Sequence, residues 1–130
     1  MLRAMSLVLR AFPEMRPPHY ERLTELCAAD APLLACLASG TASYLWQTRG
    51  EPERALEYAR RMLDALGPLE NPAVRMLCHG RISDLCLRGE RGEEAYVHLR
   101  AALDAFGGTG DWTDLIGVGW GLVLACLQRG

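Results

Sequence analysis

The sequence predicts an all-α chain, built as a solenoid of antiparallel helix hairpins. Three observations predict it: a self-similarity with a step of about 40 residues, proline and glycine placed where helices start and stop, and no segment with the alternation of a strand. The clearest repeat runs from Glu53-Arg54-Ala55 to Leu63-Asp64-Ala65-Leu66-Gly67 and returns as Glu93-Glu94-Ala95 to Leu103-Asp104-Ala105-Phe106-Gly107. Ahead of it, Gly40-Thr41-Ala42-Ser43 leading to Arg49-Gly50-Glu51 is echoed by Gly80-Arg81-Ile82-Ser83 leading to Arg88-Gly89-Glu90, and Gly121 to Arg129-Gly130 gives a third, shorter echo. Periods of 20–50 residues made of paired helices belong to stacked architectures, in which neighbouring units bury a shared core.

About seven helices are expected. One of them is a partial helix at the N-terminus, where Met1-Leu2-Arg3 starts directly in helix-like sequence. Pro17-Pro18 opens a short helix to about Ala29, because proline is tolerated in a first turn but not in an interior. Asp30-Ala31-Pro32 starts a longer one to about Thr48, which Arg49-Gly50-Glu51-Pro52 breaks: glycine supplies a left-handed stop and proline a new first turn. From Pro52 to Leu66, the residues Ala55, Ala59, Met62, Leu63 and Leu66 form one apolar stripe at helical spacing, and Gly67 ends the helix. Asn71-Pro72 combines a cap with a first-turn proline and opens a helix to about Leu87. Glu93 to Phe106 follows, then the loop Gly107-Gly108-Thr109-Gly110, then Asp111 as a cap with Asp114 three residues on, and a last helix from Trp112 to about Arg129.

The connections are short, so successive helices pack antiparallel. The first helix of each pair carries a mid-helix glycine, at Gly40, Gly80 and Gly121. Such a glycine is worth about 1 kcal/mol less than alanine in a helix interior, so its recurrence points to close approach of backbones. The approximate units are 1–30, 31–70, 71–110 and a half repeat at 111–130 within one domain. The third unit stops where its second helix should begin, so the chain reads as a piece of a longer polypeptide.

Composition narrows the function classes. Half of the 130 residues are hydrophobic, which argues against disorder, and the net charge of -2 gives no basic footprint for gripping nucleic acid directly. All 14 basic residues are arginine, a bias typical of a GC-rich genome. No apolar run reaches the ~20 residues of a membrane span, and no secretory leader pattern opens the chain. The five cysteines, Cys27, Cys36, Cys78, Cys86 and Cys126, are odd in number and lie in apolar helical stretches without CxxC spacing. They read as buried free thiols in a reducing cytoplasm.

The pattern Gly50, Ala55, Ala59, Met62-Leu63 resembles the tetratricopeptide (TPR) repeat, and the second unit fits with one extra residue in its turn, Gly89 preceding Ala95 by six. The units are longer than the usual 34 residues. Gly110-Asp111-Trp112-Thr113-Asp114-Leu115-Ile116-Gly117 with Trp120 to Gly130, together with Arg88-Gly89-Glu90, Gly92 to Tyr96 and His98-Leu99-Arg100, is similar to the C-terminal helical repeats of actinobacterial SARP-type transcriptional activators. That resemblance covers roughly residues 30–130. It implies a regulatory or protein-binding module beside DNA-binding and NTPase domains, neither of which this chain contains.

Chemistry-bearing groups have structural readings. Gly107 to Gly110 lacks the lysine and preceding strand of a phosphate loop. Cys78, Cys86 and His79, with His98 on the next helix, fall short of a zinc ligand set and read as a core-facing thiol pair with a boundary histidine. Glu51, Glu53, Glu90, Glu93 and Glu94 sit at helix N-termini, where the dipole favours acidic side chains. No catalytic, metal or cofactor residues are assigned. Tyr44, Trp46, Trp112 and Trp120 are aromatics on first helices, the helices that line the concave face of such a stack. The partner-binding candidates are Tyr44, Gln47, Thr48, Arg75, His79, Arg81, Asp84 and Trp120.

The function expected is therefore a non-catalytic protein-protein interaction module of a bacterial transcriptional regulator. The alternative is a ligand-sensing domain holding a small molecule in its concave face. An unpaired last helix would leave Leu115, Ile116, Leu122, Val123 and Leu127 partly exposed, and such a face favours a homo-oligomer.

Overall fold

The structure, a computed structural model, describes residues 16–27, 30–107 and 112–130, the side chains of Trp112 and Asp114 excepted. The expected N-terminal partial helix, the Asp111 cap and most of the 107–110 loop lie outside the described residues. Among those residues the chain is all-α, with six helices: α1 Pro17–Cys27, α2 Pro32–Thr48, α3 Pro52–Leu66, α4 Pro72–Arg88, α5 Gly92–Phe106 and α6 Trp112–Arg129. Four of the six start on a proline in the first turn, where its missing N–H costs nothing. Asn71 caps α4 as its residue type predicts: its side chain accepts from the Val74 N–H at 3.1 Å.

The chain divides into two compact units, Met1–Ala65 and Leu66–Gly130. In the first, α1 packs on α2, and α2 turns back into α3. Tyr20, Ala42 and Tyr58 form its buried cluster, with Leu45 and Trp46 packed against it. The α3 stripe is the core face that its spacing predicts: Ala55, Ala59, Met62 and Leu66 are buried and Leu63 is half-buried. Polar groups inside are satisfied locally. Thr24 and Ser39 share a hydrogen bond of 3.2 Å between α1 and α2, and the Ser43 hydroxyl donates to the Ala55 carbonyl at 2.7 Å between α2 and α3.

In the second unit α4 and α5 form a hairpin, and α6 lies antiparallel on α5. Cys78, Ile82, Leu85 and Cys86 of α4, Ala95, Leu99 and Ala102 of α5, and Val118 and Ala125 of α6 are buried. Two glycines let the helices close. A Cβ built on Gly121 would lie 2.8 Å from a Leu99 methyl, and one on Gly92 would lie 2.6 Å from the Gln128 Cβ and 3.0 Å from the Ala125 carbonyl oxygen. Gly80 departs from the expectation of close approach, since a Cβ there meets nothing within 4 Å. Gly40 is buried. The cysteines also depart in part: Cys36, Cys78 and Cys86 are buried, whereas Cys27 is half-buried and Cys126 exposed.

The two hairpin turns have one design. In the first, the Glu51 N–H reaches back to the Trp46 carbonyl at 3.0 Å around Gly50, whose φ of 76° is left-handed. In the second, the Arg91 N–H reaches the Cys86 carbonyl at 2.8 Å around Glu90, whose φ is 58°. Gly89, matched to Gly50 in the sequence pattern, has an ordinary φ of -91°. The extra turn residue inferred from Gly89 is therefore absent from the backbone. Glu90 takes the place of Gly50, in a conformation that disfavours a side chain.

Candidate partner-binding surfaces

The eight candidate residues divide between the two units. Tyr44, Gln47 and Thr48 close α2 in the first. Tyr44 and Gln47 are half-buried, and the exposed Thr48 turns its hydroxyl back onto the Leu45 carbonyl at 2.9 Å. The more elaborate construction here was not among the candidates. Trp46, half-buried, donates its indole N–H to Glu21 of α1 at 2.9 Å. Its ring also carries the guanidinium of Arg54 at 4.5 Å and that of Arg49 at 5.8 Å. Burial pushes the Tyr58 hydroxyl up to about 12, and its hydrogen bond with the same Glu21 adds to the shift. Arg61 stacks over the Tyr58 ring at 4.6 Å. One carboxylate thus ties together aromatics from α2 and α3. Glu21 lies 25 positions from Trp46, so no local spacing could have revealed the pairing.

On α4 the four candidates split by helical phase. With 3.6 residues per turn, Arg75 and His79 share one side, and Arg81 and Asp84 face away from it. Arg75 donates to the Gly67 carbonyl at 2.8 Å and so fastens the turn before its own helix. His79 meets His98 of α5, Nδ1 to Nδ1, at 2.9 Å, with the rings tilted 37° at a centroid distance of 5.2 Å. Such a bond requires one ring to donate and the other to accept. Burial, then the neighbouring His98, then Arg75 lower the His79 ring from 6.5 to about 4. Arg81 departs from a surface role: it is 5% exposed, with Nη1 3.6 Å from the carboxylate of Asp84, which also pairs with Arg88 at 3.2 Å. Among the described residues, no group of three or more His, Cys, Asp or Glu is placed to hold a metal ion.

Trp120 belongs to a surface of a different kind. On α6, Ile116 is 60% exposed, Trp120 68%, Val123 50% and Leu127 72%, with Leu124 beside them at 49%. Leu115 and Leu122, expected on the same face, are half-buried. From Leu115 to Gln128 the helix carries no charged residue. The inner face of α6, Val118, Gly121 and Ala125, is already seated on α5. The helix is thus apolar on two sides, and the unit covers one of them. Contiguous exposed apolar surface of this kind marks interaction sites rather than ordinary solvated helix.

An open cleft of about 750 Å³ lies where the start of α5 meets the end of α6, lined by Glu90, Arg91, Glu93, Cys126, Gln128 and Arg129 among others. Arg129 pairs with Glu93 and lies over the Tyr96 ring at 4.3 Å, while Gln128 donates to the Leu87 carbonyl at 2.9 Å. No family model, curated protein or solved structure matches this chain. No helix among the described residues is long and apolar enough to cross a membrane.

Proposed function

We propose that the chain is a non-catalytic protein-interaction module of TPR-like helix hairpins, repeating every forty residues or so, that serves a bacterial transcriptional regulator in the cytoplasm. The apolar outer stripe of α6 carries the reading: Ile116, Trp120, Val123 and Leu127 are exposed in succession on a helix without a charged residue from 115 to 128. The two hairpin turns support the repeat, since the bond from Glu51 to Trp46 and that from Arg91 to Cys86 occupy corresponding places. The tie to a transcriptional regulator rests on the residues around Gly110–Gly117 and Trp120–Gly130 that resemble the SARP-type repeats. The polar side chains that meet between helices, Glu21 with Trp46 and His79 with His98, hold helices to one another.

Site-specific photo-crosslinking tests the reading. A photoreactive amino acid at position 116 or 120, in living cells, should give a discrete protein adduct from the α6 stripe, and the same probe at the solvated Asp64 should not. Absence of any adduct from both stripe positions would sink it.

The second reading, a ligand-sensing domain, is favoured by the cleft at Glu90, Arg91 and Arg129, whose mixed charges suit a small polar molecule. A ligand there raises the melting temperature by mass action, with a stabilisation that grows as the logarithm of its concentration once that exceeds the Kd. A metabolite screen that yields such a shift, abolished by Arg91→Ala, would favour this reading.

A further inference from the structure

We infer that the outer stripe of α6 pairs with the same stripe of a second copy, antiparallel, about a two-fold axis passing between Gly121 and Leu122. The inference rests on the interaction reading above and names the partner for that surface.

The spacing comes first. Ile116, Trp120, Val123 and Leu127 follow one another at intervals of four, three and four residues, the seam of a helix that packs knobs into holes. That series reads the same from either end. Turned end for end, the stripe therefore meets itself in register, as an isologous two-fold interface requires. Ile116 then faces Leu127 of the second copy, and Trp120 faces Val123.

Size agrees with that register. Each inner layer sets the largest side chain against the smallest, whereas a parallel pair would stack Trp120 on Trp120. Gly117 and Gly119 flank the tryptophan, and a Cβ on either meets nothing within 4 Å, so the opposing backbone has room to approach.

Charge points to the same partner. A stripe without ions complements another without ions, and a charged partner would leave its own charges desolvated against it. The area suffices as well. The five exposed side chains, Leu124 beside the seam included, offer on the order of 600 Å² per copy, so their complete burial in two copies reaches roughly 1,200 Å², the lower end for a specific stable interface.

The experiment is sedimentation velocity on the intact chain with two charge variants, Trp120→Glu and Val123→Lys. The wild type should be a dimer in the micromolar range. Each variant alone should sediment as a folded monomer with the helical circular-dichroism spectrum of the wild type, because both positions are exposed in the single chain. Mixed in equal amounts they should form a heterodimer. One layer of it is the native tryptophan–valine pair, and the other sets the new glutamate against the new lysine. A wild type that stays monomeric at millimolar concentration overturns the inference, as does either variant remaining dimeric alone. A mixture that stays monomeric overturns the antiparallel register. Crosslinks from position 120 to a different protein, with a monomeric wild type, would remove the self-pairing and leave the interaction module standing.

Discussion

Replacing Gly92 with alanine is expected to destabilise the second unit by about 1–3 kcal/mol, the range for forcing an extra methyl into a packed contact. The new Cβ would lie 2.6 Å from the Gln128 Cβ, 3.0 Å from the Ala125 carbonyl oxygen and 3.2 Å from the Arg129 amide nitrogen. All three belong to or adjoin the α6 backbone, so relief requires the helices to part. The same substitution elsewhere provides internal controls. At Gly121 the obstacle is the end of the Leu99 side chain, which can swing aside, so the clash largely cancels the roughly 1 kcal/mol gain in helix propensity. At Gly80 there is no obstacle, and alanine should stabilise by about 0.5–1 kcal/mol. Urea unfolding of the three variants checks the order. Equal effects at all three would mean that α5 and α6 do not approach as described.

Acidification should weaken the second unit through His79. The sign follows from the depressed ring: unfolded, it titrates near 6.5, and folded, near 4. Between those values the unfolded chain binds the proton more tightly, so stability falls as pH is lowered. The contribution is fully present above about 6.5, declines through the window, and levels off below about 4. Protonation also makes both His79 ring nitrogens donors, so that His98 must accept in the 2.9 Å contact, and places a cation beside Arg75. His79→Gln should flatten the wild-type slope of stability against pH within that window and leave the slope above it unchanged. Parallel curves for the two proteins would show that the ring is not held neutral by the fold.

Much of this architecture was legible in the residues. Proline in the first turn marked the starts of α1 to α4, and glycine marked the ends of α2 to α5 within about two residues, because these residues act through their own backbone restrictions and need no distant partner. The core stripe of α3 was legible for the same reason of periodicity. What escaped the sequence depends on atoms far apart along the chain. The join of Glu21 to Trp46 and Tyr58 needs three helices in place before it exists. Arg81 looked like a surface residue because arginine is rarely buried, yet α4 is covered over so much of its circumference that its phase puts Arg81 inside. Gly80 recurs with Gly40 and Gly121 in sequence but stands in open space, so recurrence alone did not identify the close contacts. On α6 the sequence placed Leu115 and Leu122 beside Ile116, Val123 and Leu127, and the structure turns both half inward and exposes Trp120 instead.

The turn at Glu90 is where the sequence and the backbone disagree about register, and it decides whether the two hairpins are copies of one unit. Aligned by Arg-Gly-Glu, the turns lie 39 positions apart, from Gly50 to Gly89. Aligned by hydrogen bonds, they lie 40 apart, from Gly50 to Glu90. NMR measurement of the backbone torsions at positions 89 and 90 in the intact chain separates the two. A positive φ at Glu90 with a negative φ at Gly89 is the result the repeat-built interaction module predicts. A positive φ at Gly89 with Glu90 on the right-handed side would contradict it, and the hairpins would then be two similar motifs rather than one repeated unit.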